Sequence, residues 1–125
     1  FVLRLVPGMR ADIIPLLAPH YRALVLESFG VGGLPGGEHG EMFAALRCWC
    51  ESGRLAVFTT QVPHEGCDLA VYEVGRAVGE LPGVLEARDM TPEAGAVKLM
   101  WALGQTEDRE KAARLFETPI EYDIM

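Results

Sequence analysis

The chain has 125 residues, enough for one domain that buries a core without disulfide or metal staples. Half of its residues are apolar and 23% are charged, the balance of a compact soluble fold and not of a disordered segment. Eleven basic residues against eighteen acidic ones, a formal net charge of −7, exclude nucleic acid and anionic membrane surfaces as partners, because no cluster of Lys or Arg supplies the cationic footprint either one requires.

The longest apolar runs, such as residues 23–26, are far too short to span a bilayer. Three cysteines, an odd number among many Leu, Ala and Val, read as free thiols in a reducing compartment, which points to the cytoplasm. A chain that opens Phe1-Val2-Leu3-Arg4-Leu5 without an initiator Met reads as a piece of a longer protein.

Short β-type apolar runs alternate with stretches of helical periodicity as far as residue 104. Residues 2–6 predict a strand closed by Pro7-Gly8. Asp12 follows as the cap of a short helix through Leu17, where Pro15 is tolerated because first-turn amides have no intrahelical acceptor. Residues 22–27 predict a second strand, whose continuous Leu24-Val25-Leu26 suits a strand covered by helices on both faces. The glycines of residues 28–40 let the backbone take positive φ and approach a ligand or another chain, although such turns also occur without a role.

Met42, Phe43, Leu46, Trp49 and Cys50 then mark one face of a helix that Gly53 ends. Residues 55–60 predict the third strand. After the turn at residues 63–66, Asp68 reads as the N-cap of a helix with Val71, Val74 and Val78 as its buried stripe, stopped by Pro82-Gly83. Residues 84–87 predict a short fourth strand. Thr91-Pro92-Glu93 opens a helix with Ala96, Leu99, Met100 and Leu103 turned inward and Gly104 at its end.

Thr106 is expected to cap a last helix through Phe116, with Ala112, Leu115 and Phe116 inward, before an extended tail at residues 118–125. The rhythm is that of βα units, and parallel connections are overwhelmingly right-handed. We therefore expect residues 1–125 to form a single domain: a three-layer α/β/α sandwich, Rossmann-like or flavodoxin-like, on a parallel sheet of about four strands.

Cys48, Cys50, His64 and Cys67 invite a metal reading, but Cys48 and Cys50 are two apart on a predicted helix and point to different faces. Ordinary reduced thiols are expected, and no metal. His20, His39 and His64 lie in loops or at element ends, and no Ser-His-Asp or Cys-His order emerges. The glycines at residues 30–37 lack the Lys-Ser/Thr ending of a phosphate loop and the full dinucleotide fingerprint, so no cofactor is expected.

Four segments go further. They are Leu24-Val25-Leu26-Glu27-Ser28-Phe29-Gly30-Val31-Gly32-Gly33-Leu34-Pro35, Thr59-Thr60-Gln61-Val62-Pro63, Val71-Tyr72-Glu73-Val74-Gly75-Arg76, and Asp89-Met90-Thr91-Pro92-Glu93-Ala94 followed by Lys98-Leu99-Met100-Trp101. In this order and spacing they resemble the C-terminal half of the asparaginase and glutaminase family, over essentially the whole chain. The last of these segments, with the Thr-Thr-Gln strand end, points to the type I, cytoplasmic-type branch of bacterial L-asparaginases. It also points to a relative, the asparaginase-like subunit of an archaeal tRNA-dependent amidotransferase. The acidic balance favours the free enzyme.

The resemblance implies a two-domain hydrolase that converts L-asparagine to L-aspartate and ammonia through a nucleophilic threonine and an acyl-enzyme. The family's nucleophile, second threonine, aspartate and lysine lie in an N-terminal domain, so no catalytic residue is expected here. Thr59, Thr60, Asp89 and Lys98 do not correspond to them. The implied role of this domain is to form a homo-oligomer, a dimer or tetramer, and to close loops over a neighbouring subunit's active site, at the carboxyl ends of the strands where open α/β sheets bind ligands.

A polar residue that approaches the substrate amine in the family falls at about Gly33 here, next to Gly32, without its side chain. A second, acidic contact falls near Tyr72 or Glu73, and Glu73 is our choice, although a helix-face acid is usually a solvated charge. Some type I enzymes bind asparagine at a regulatory site beside a Thr-Gln pair, which maps to Thr60, Gln61 and Val62, with Val62 where many relatives carry Cys. Thr also favours strands by shape alone, so Thr59 and Thr60 have a structural reading too. From a different class, a non-catalytic effector-binding or dimerisation module fits the same α/β pattern.

Overall fold

The structure, a computed structural model, describes every residue except Val31, Tyr72 and Met125. Its strands are β1 (Val2–Arg4), β2 (Ala23–Ser28), β3 (Leu55–Thr60) and β4 (Val84–Glu86). Its helices are α1 (Ile13–Leu17), α2 (Glu41–Glu51), α3 (Glu73–Gly79), α4 (Pro92–Gln105) and α5 (Arg109–Glu117), with a 3-10 turn at Gly37–His39. The strands pair in parallel in the order β1-β2-β3-β4.

Right-handed crossovers that always step in one direction place their helices on one face of the sheet. That is the arrangement found. Leu24 and Leu26 of β2 and Ala56 and Phe58 of β3 pack in one cluster with Ile14 and Leu17 of α1, Met42, Leu46 and Trp49 of α2, and Val78 of α3. Ala23, Val25, Leu55 and Val57, the alternate residues of the same strands, pack with Leu99 and Ala102 of α4 and Ala112 and Phe116 of α5. The result is the expected α/β/α sandwich, with β2 and β3 apolar on both faces. Each fully buried Leu or Phe in these layers contributes roughly 1.5–3 kcal/mol relative to exposure.

At the amino edge of the sheet, α1, α2 and α4 end with carbonyls that lack intrahelical partners, and arginines from the next connections take them. Arg54 donates to Ala18 O at 2.7 Å and lies 5.3 Å over the Trp49 ring. Arg22 reaches Leu103 O and Thr106 O at 3.0 and 2.8 Å, and Arg109 reaches Cys50 O at 2.8 Å. Gly53, at φ 92°, ends α2 as its position predicts.

Five local expectations are corrected. Asp12 makes no cap bond to α1 and is held by Arg10 at 2.6 Å. Asp68 caps a turn, accepting from Ala70 N at 2.9 Å; α3 starts only at Glu73, leaving Val71 half exposed and Val74 half buried, while Val78 is buried. In α4 the buried face is Gly95, Lys98, Leu99 and Ala102, Met100 is 70% exposed, and Gly104 does not stop the helix, which runs through Gln105. Asp108 caps α5 by accepting from Lys111 N at 2.8 Å, while Thr106 accepts from Asp108 N at 3.1 Å, one step upstream. The tail turns instead of extending: Ile120 N donates to Asp123 Oδ1 at 2.7 Å and Glu121 sits at φ 56°.

The turn of α4 about its axis has an electrostatic cause. Lys98 is 6% exposed, which a bare ammonium could not sustain, but its Nζ donates to Thr118 O at 2.8 Å and lies 2.7 Å from Asp123 Oδ2. Gly95 and Ala102 keep the same face small, and a Cβ on Gly95 would already touch Ala87 Cβ at 3.5 Å. The tail is therefore strapped to α4 by one buried cation.

The Lys98 hydrogen bond holds the Asp123 carboxyl below its ordinary pKa of 3.8, with the Ile120 amide adding to it. A depressed native pKa stabilises the fold above the unfolded value and loses that contribution as pH falls through the native value. Asp123→Asn is expected to lower the melting temperature at pH 7, and the gap from the parent protein is expected to close below about pH 3.8. Thermal melts of both proteins across pH 2–7, by circular dichroism, check this; a gap that stays constant would place the strap's strength elsewhere.

Candidate functional site at the carboxyl edge of the sheet

Beyond the last residues of the strands, two structures stand side by side: a pair of joined loops and an acidic cleft. The loop after β2 folds back on itself, with Gly33 N donating to Phe29 O at 2.8 Å and Phe29 N donating to Gly33 O at 3.1 Å. The Thr60 hydroxyl donates to Gly30 O and anchors it to the end of β3. Gly32 is buried at φ 147°, with Leu69 against it. Gly33 is half buried, and a Cβ there would come within 3.2 Å of Phe29 Cβ.

Glu73 is the exposed first residue of α3, which begins at this same edge. Tyr72 lies outside the described residues. The contact of Gly32 with Leu69 brings the loop after β2 against the segment leading into α3, so Gly33 and Glu73 sit on neighbouring connections. Glu73 carries none of the hydrogen bonds or ion pairs found among the described residues, as a solvated acid or an unfilled contact would.

Thr60, Gln61 and Val62 line the second structure, a cleft of about 440 Å³. Thr60 Oγ1 accepts from Val62 N at 3.0 Å. Gln61 Nε2 donates to Leu5 O and Glu27 O at 2.6 and 2.7 Å, closing the ends of β1 and β2. Their polar groups thus build the wall. The charged lining comes from residues that periodicity did not single out: Arg4 and Glu27, register partners on β1 and β2, with Glu65, Asp89 and Glu93 across from them.

Strand alternation puts Arg4, Glu27 and Thr59 on one face of the sheet, beside the start of α4. Parallel register was the signal for this row, and it cannot be read until the strands are paired. One cation against four carboxylates makes a cleft that suits a small molecule with an amine and a carboxylate.

The remaining reactive groups are poorly placed for chemistry. Cys67 is buried, and burial, reinforced by Glu86 and Asp68, pushes its thiol up to about 12. Burial likewise takes the Cys50 thiol up to about 11. At neutral pH neither is the thiolate that nucleophilic attack needs. Cys48, on the same helix as Cys50, faces solvent. Among the described residues no three His, Cys, Asp or Glu side chains are grouped to hold a metal ion. No helix among them is long and apolar enough to cross a membrane.

A second cavity of about 300 Å³ lies at the amino edge, lined by Arg22, Arg54 and Arg109. Those guanidinium groups are already spent on the carbonyl ends of α1, α2 and α4, whose dipoles repel anions. It is a helix-capping cluster.

Known proteins resemble this chain in sequence and in fold. An L-asparaginase of Thermococcus kodakarensis is 38% identical over 122 residues, 98% of this chain and 36% of the relative. A glutamyl-tRNA(Gln) amidotransferase subunit of Metallosphaera sedula is 35% identical over 119 residues, 94% of this chain and 26% of the relative. The chain therefore spans between about a quarter and a third of the curated relatives it matches. Among solved structures, the thermostable L-asparaginase from Thermococcus kodakarensis superposes with a TM-score of 0.89 at 38% identity, over 99% of this chain and 37% of its own. L-asparaginase I from Vibrio cholerae superposes at 0.86 and 28%, again over 99% of this chain and 37% of its own. The model of the glutaminase/asparaginase C-terminal domain matches residues 1–116, and the chain belongs to that family.

Proposed function

We propose that residues 1–125 act as one domain, the C-terminal part of an L-asparaginase that hydrolyses L-asparagine to L-aspartate and ammonia in the cytoplasm. The observation that carries this reading is the 38% identity to an L-asparaginase over 98% of the chain. The nucleophilic threonine belongs to an N-terminal domain of the same protein. This domain contributes subunit contacts in a dimer or tetramer and the joined loops at the carboxyl edge, which close the active site. The raised thiols of Cys50 and Cys67 fit this division, because acyl transfer needs an activated nucleophile beside a base.

The second reading, a component of a tRNA-dependent amidotransferase, has the 35% identity to the Metallosphaera sedula protein in its favour. Against it stands the charge: a net −7, with Arg22, Arg54 and Arg109 taken up at helix ends, gives this domain a poor cationic footprint for a tRNA backbone.

The longer protein is expected to release ammonia from asparagine, and the 125-residue chain to release none. Ammonia production assayed for both would decide it: turnover by the chain alone would put the chemistry in this domain, and loss of asparagine turnover in favour of a tRNA-linked substrate would select the second reading.

Glu73 is the acid of this domain that meets the substrate's ammonium group. Glu73→Gln in the longer protein is expected to lower kcat/KM for asparagine about tenfold, the loss of ~1.4 kcal/mol that one charge-assisted contact supplies. Steady-state kinetics unchanged in the variant would return Glu73 to the solvated face of α3.

The cleft bordered by Thr60, Gln61 and Val62 is the place for a regulatory amino acid, with Arg4 for its carboxylate and the opposing acids for its amine. Titration calorimetry with asparagine is expected to show a site lost in Arg4→Ala while the hydrolysis of saturating substrate persists. Equal binding by the variant would exclude the cleft.

A further inference from the structure

Leu69 belongs to no helix or strand, yet it is 2% exposed and three elements close around it. A Cβ on Gly32 would lie 2.8 Å from Leu69 Cδ2, and a Cβ on Gly75 would lie 2.4 Å from Leu69 O. Gly79, one turn further along α3, faces Leu69 Cβ and Cδ1 at 3.8 Å. The Leu69 backbone amide lies by the Glu86 carboxylate of β4 and works against the rise that burial gives its pKa. The sequence therefore leaves side chains off at the three positions where Leu69 must pass.

The loop after β2 is rich in glycine, and an unanchored glycine segment has more conformational freedom to lose than any other. Its backbone is tied at Phe29–Gly33 and at Gly30, and its buried residue Gly32 rests on the tip of the Leu69 side chain. On the other side, Leu69 presents its own backbone to α3, where nothing flexible separates it from Gly75. Leu69 thus touches both connections, its isobutyl group against Gly32 and its backbone against Gly75, beside the approach of the 3-10 turn at Gly37–His39 to α3.

We infer that Leu69 is a positioning residue: it couples the loop after β2 to the start of α3, so that Gly33 and Glu73 meet a ligand as one preset surface. This rests on the proposed asparaginase reading, in which those two connections close the active site. Pre-setting both loops removes an ordering cost from substrate binding. The predicted signature is a binding effect, not a chemical one.

The experiment compares the longer protein with its Leu69→Ala, Leu69→Met and Leu99→Ala variants, by asparagine kinetics and by hydrogen–deuterium exchange. Leu99 is equally buried, at 3%, on the opposite layer and serves as the control for destabilisation. Leu69→Ala is expected to raise KM about tenfold with kcat within about twofold, the pattern of lost uniform binding, and Leu69→Met to restore it. Exchange is expected to rise together in the peptides containing Gly33 and Glu73, and Leu99→Ala to change neither KM nor those peptides.

An unchanged KM in folded Leu69→Ala, or faster exchange confined to the peptide around residue 69, would overturn the inference. So would an equal rise in KM for Leu99→Ala. Should Leu69→Ala not fold, Leu69→Val is judged by the same criteria. Exchange decides the coupling even if the parent protein leaves asparagine intact, an outcome that would remove the functional reading and not the coupling.

Discussion

The parallel pairing of β2 with β3 over six residue pairs, from Ala23 with Leu55 to Ser28 with Thr60, is the constraint on which the other elements depend. Both strands are buried on both faces, so every amide and carbonyl in them must be paired within the sheet. That register decides which residues face α1 to α3 and which face α4 and α5. A slip of one residue would turn Phe58 and Leu26 toward the wrong layer and bring Val57 and Val25 in their place. It also sets Thr59 beside Glu27, whose pairing with Arg4 across β1 and β2 gives the cleft its charged wall.

The sequential strand order divides labour between the two edges of the sheet. Helices α1, α2 and α4 end at the amino edge, where unpaired carbonyls collect. Arg22, Arg54 and Arg109 answer that need, and their charges are taken up in doing so. The carboxyl edge is left with glycines, carboxylates, the hydroxyl of Thr60 and one cation in the cleft, Arg4. Since the strand order does not reverse within this sheet, no crevice opens between diverging connections, which is the usual siting rule for open sheets. The cleft forms instead between the ends of β1 to β3 and the start of α4.

The strands and helix faces of the first layer were legible because burial on both sides leaves long apolar runs and α2 carries an unbroken stripe. Residues 55–60 and the stripe at Met42, Leu46, Trp49 and Cys50 needed only local periodicity. Reading failed where a polar group did something other than face water. Lys98 sits in the buried face of α4, and counting it as solvent-facing rotated the expected stripe onto Met100. Asp68 and Thr106 have the chemistry of caps, and each serves a turn: α3 starts only at Glu73, and Asp108 takes the cap of α5. Of the site, the glycine loop and Glu73 were visible as motifs. The Arg4 and Glu27 pair and the Leu69 contacts join residues far apart in the chain, and no window of sequence contains them.

The geometry at Gly33 narrows what this domain can contribute to a substrate. The polar side chain that the family resemblance implies falls at about Gly33, where there is none; nor is there room to add one cheaply, with Phe29 Cβ 3.2 Å from the place a Cβ would take. The Gly33 amide and carbonyl are both committed to Phe29. A direct hydrogen bond from this residue would have to break that pairing. What the loop can offer is shape, set by Phe29 and by its seat on Leu69, while charge must come from α3. On the proposed asparaginase reading, selectivity for the substrate's amine rests on one acid, Glu73, held at the right distance, and the stiffness of the loop contact sets how well that distance is kept.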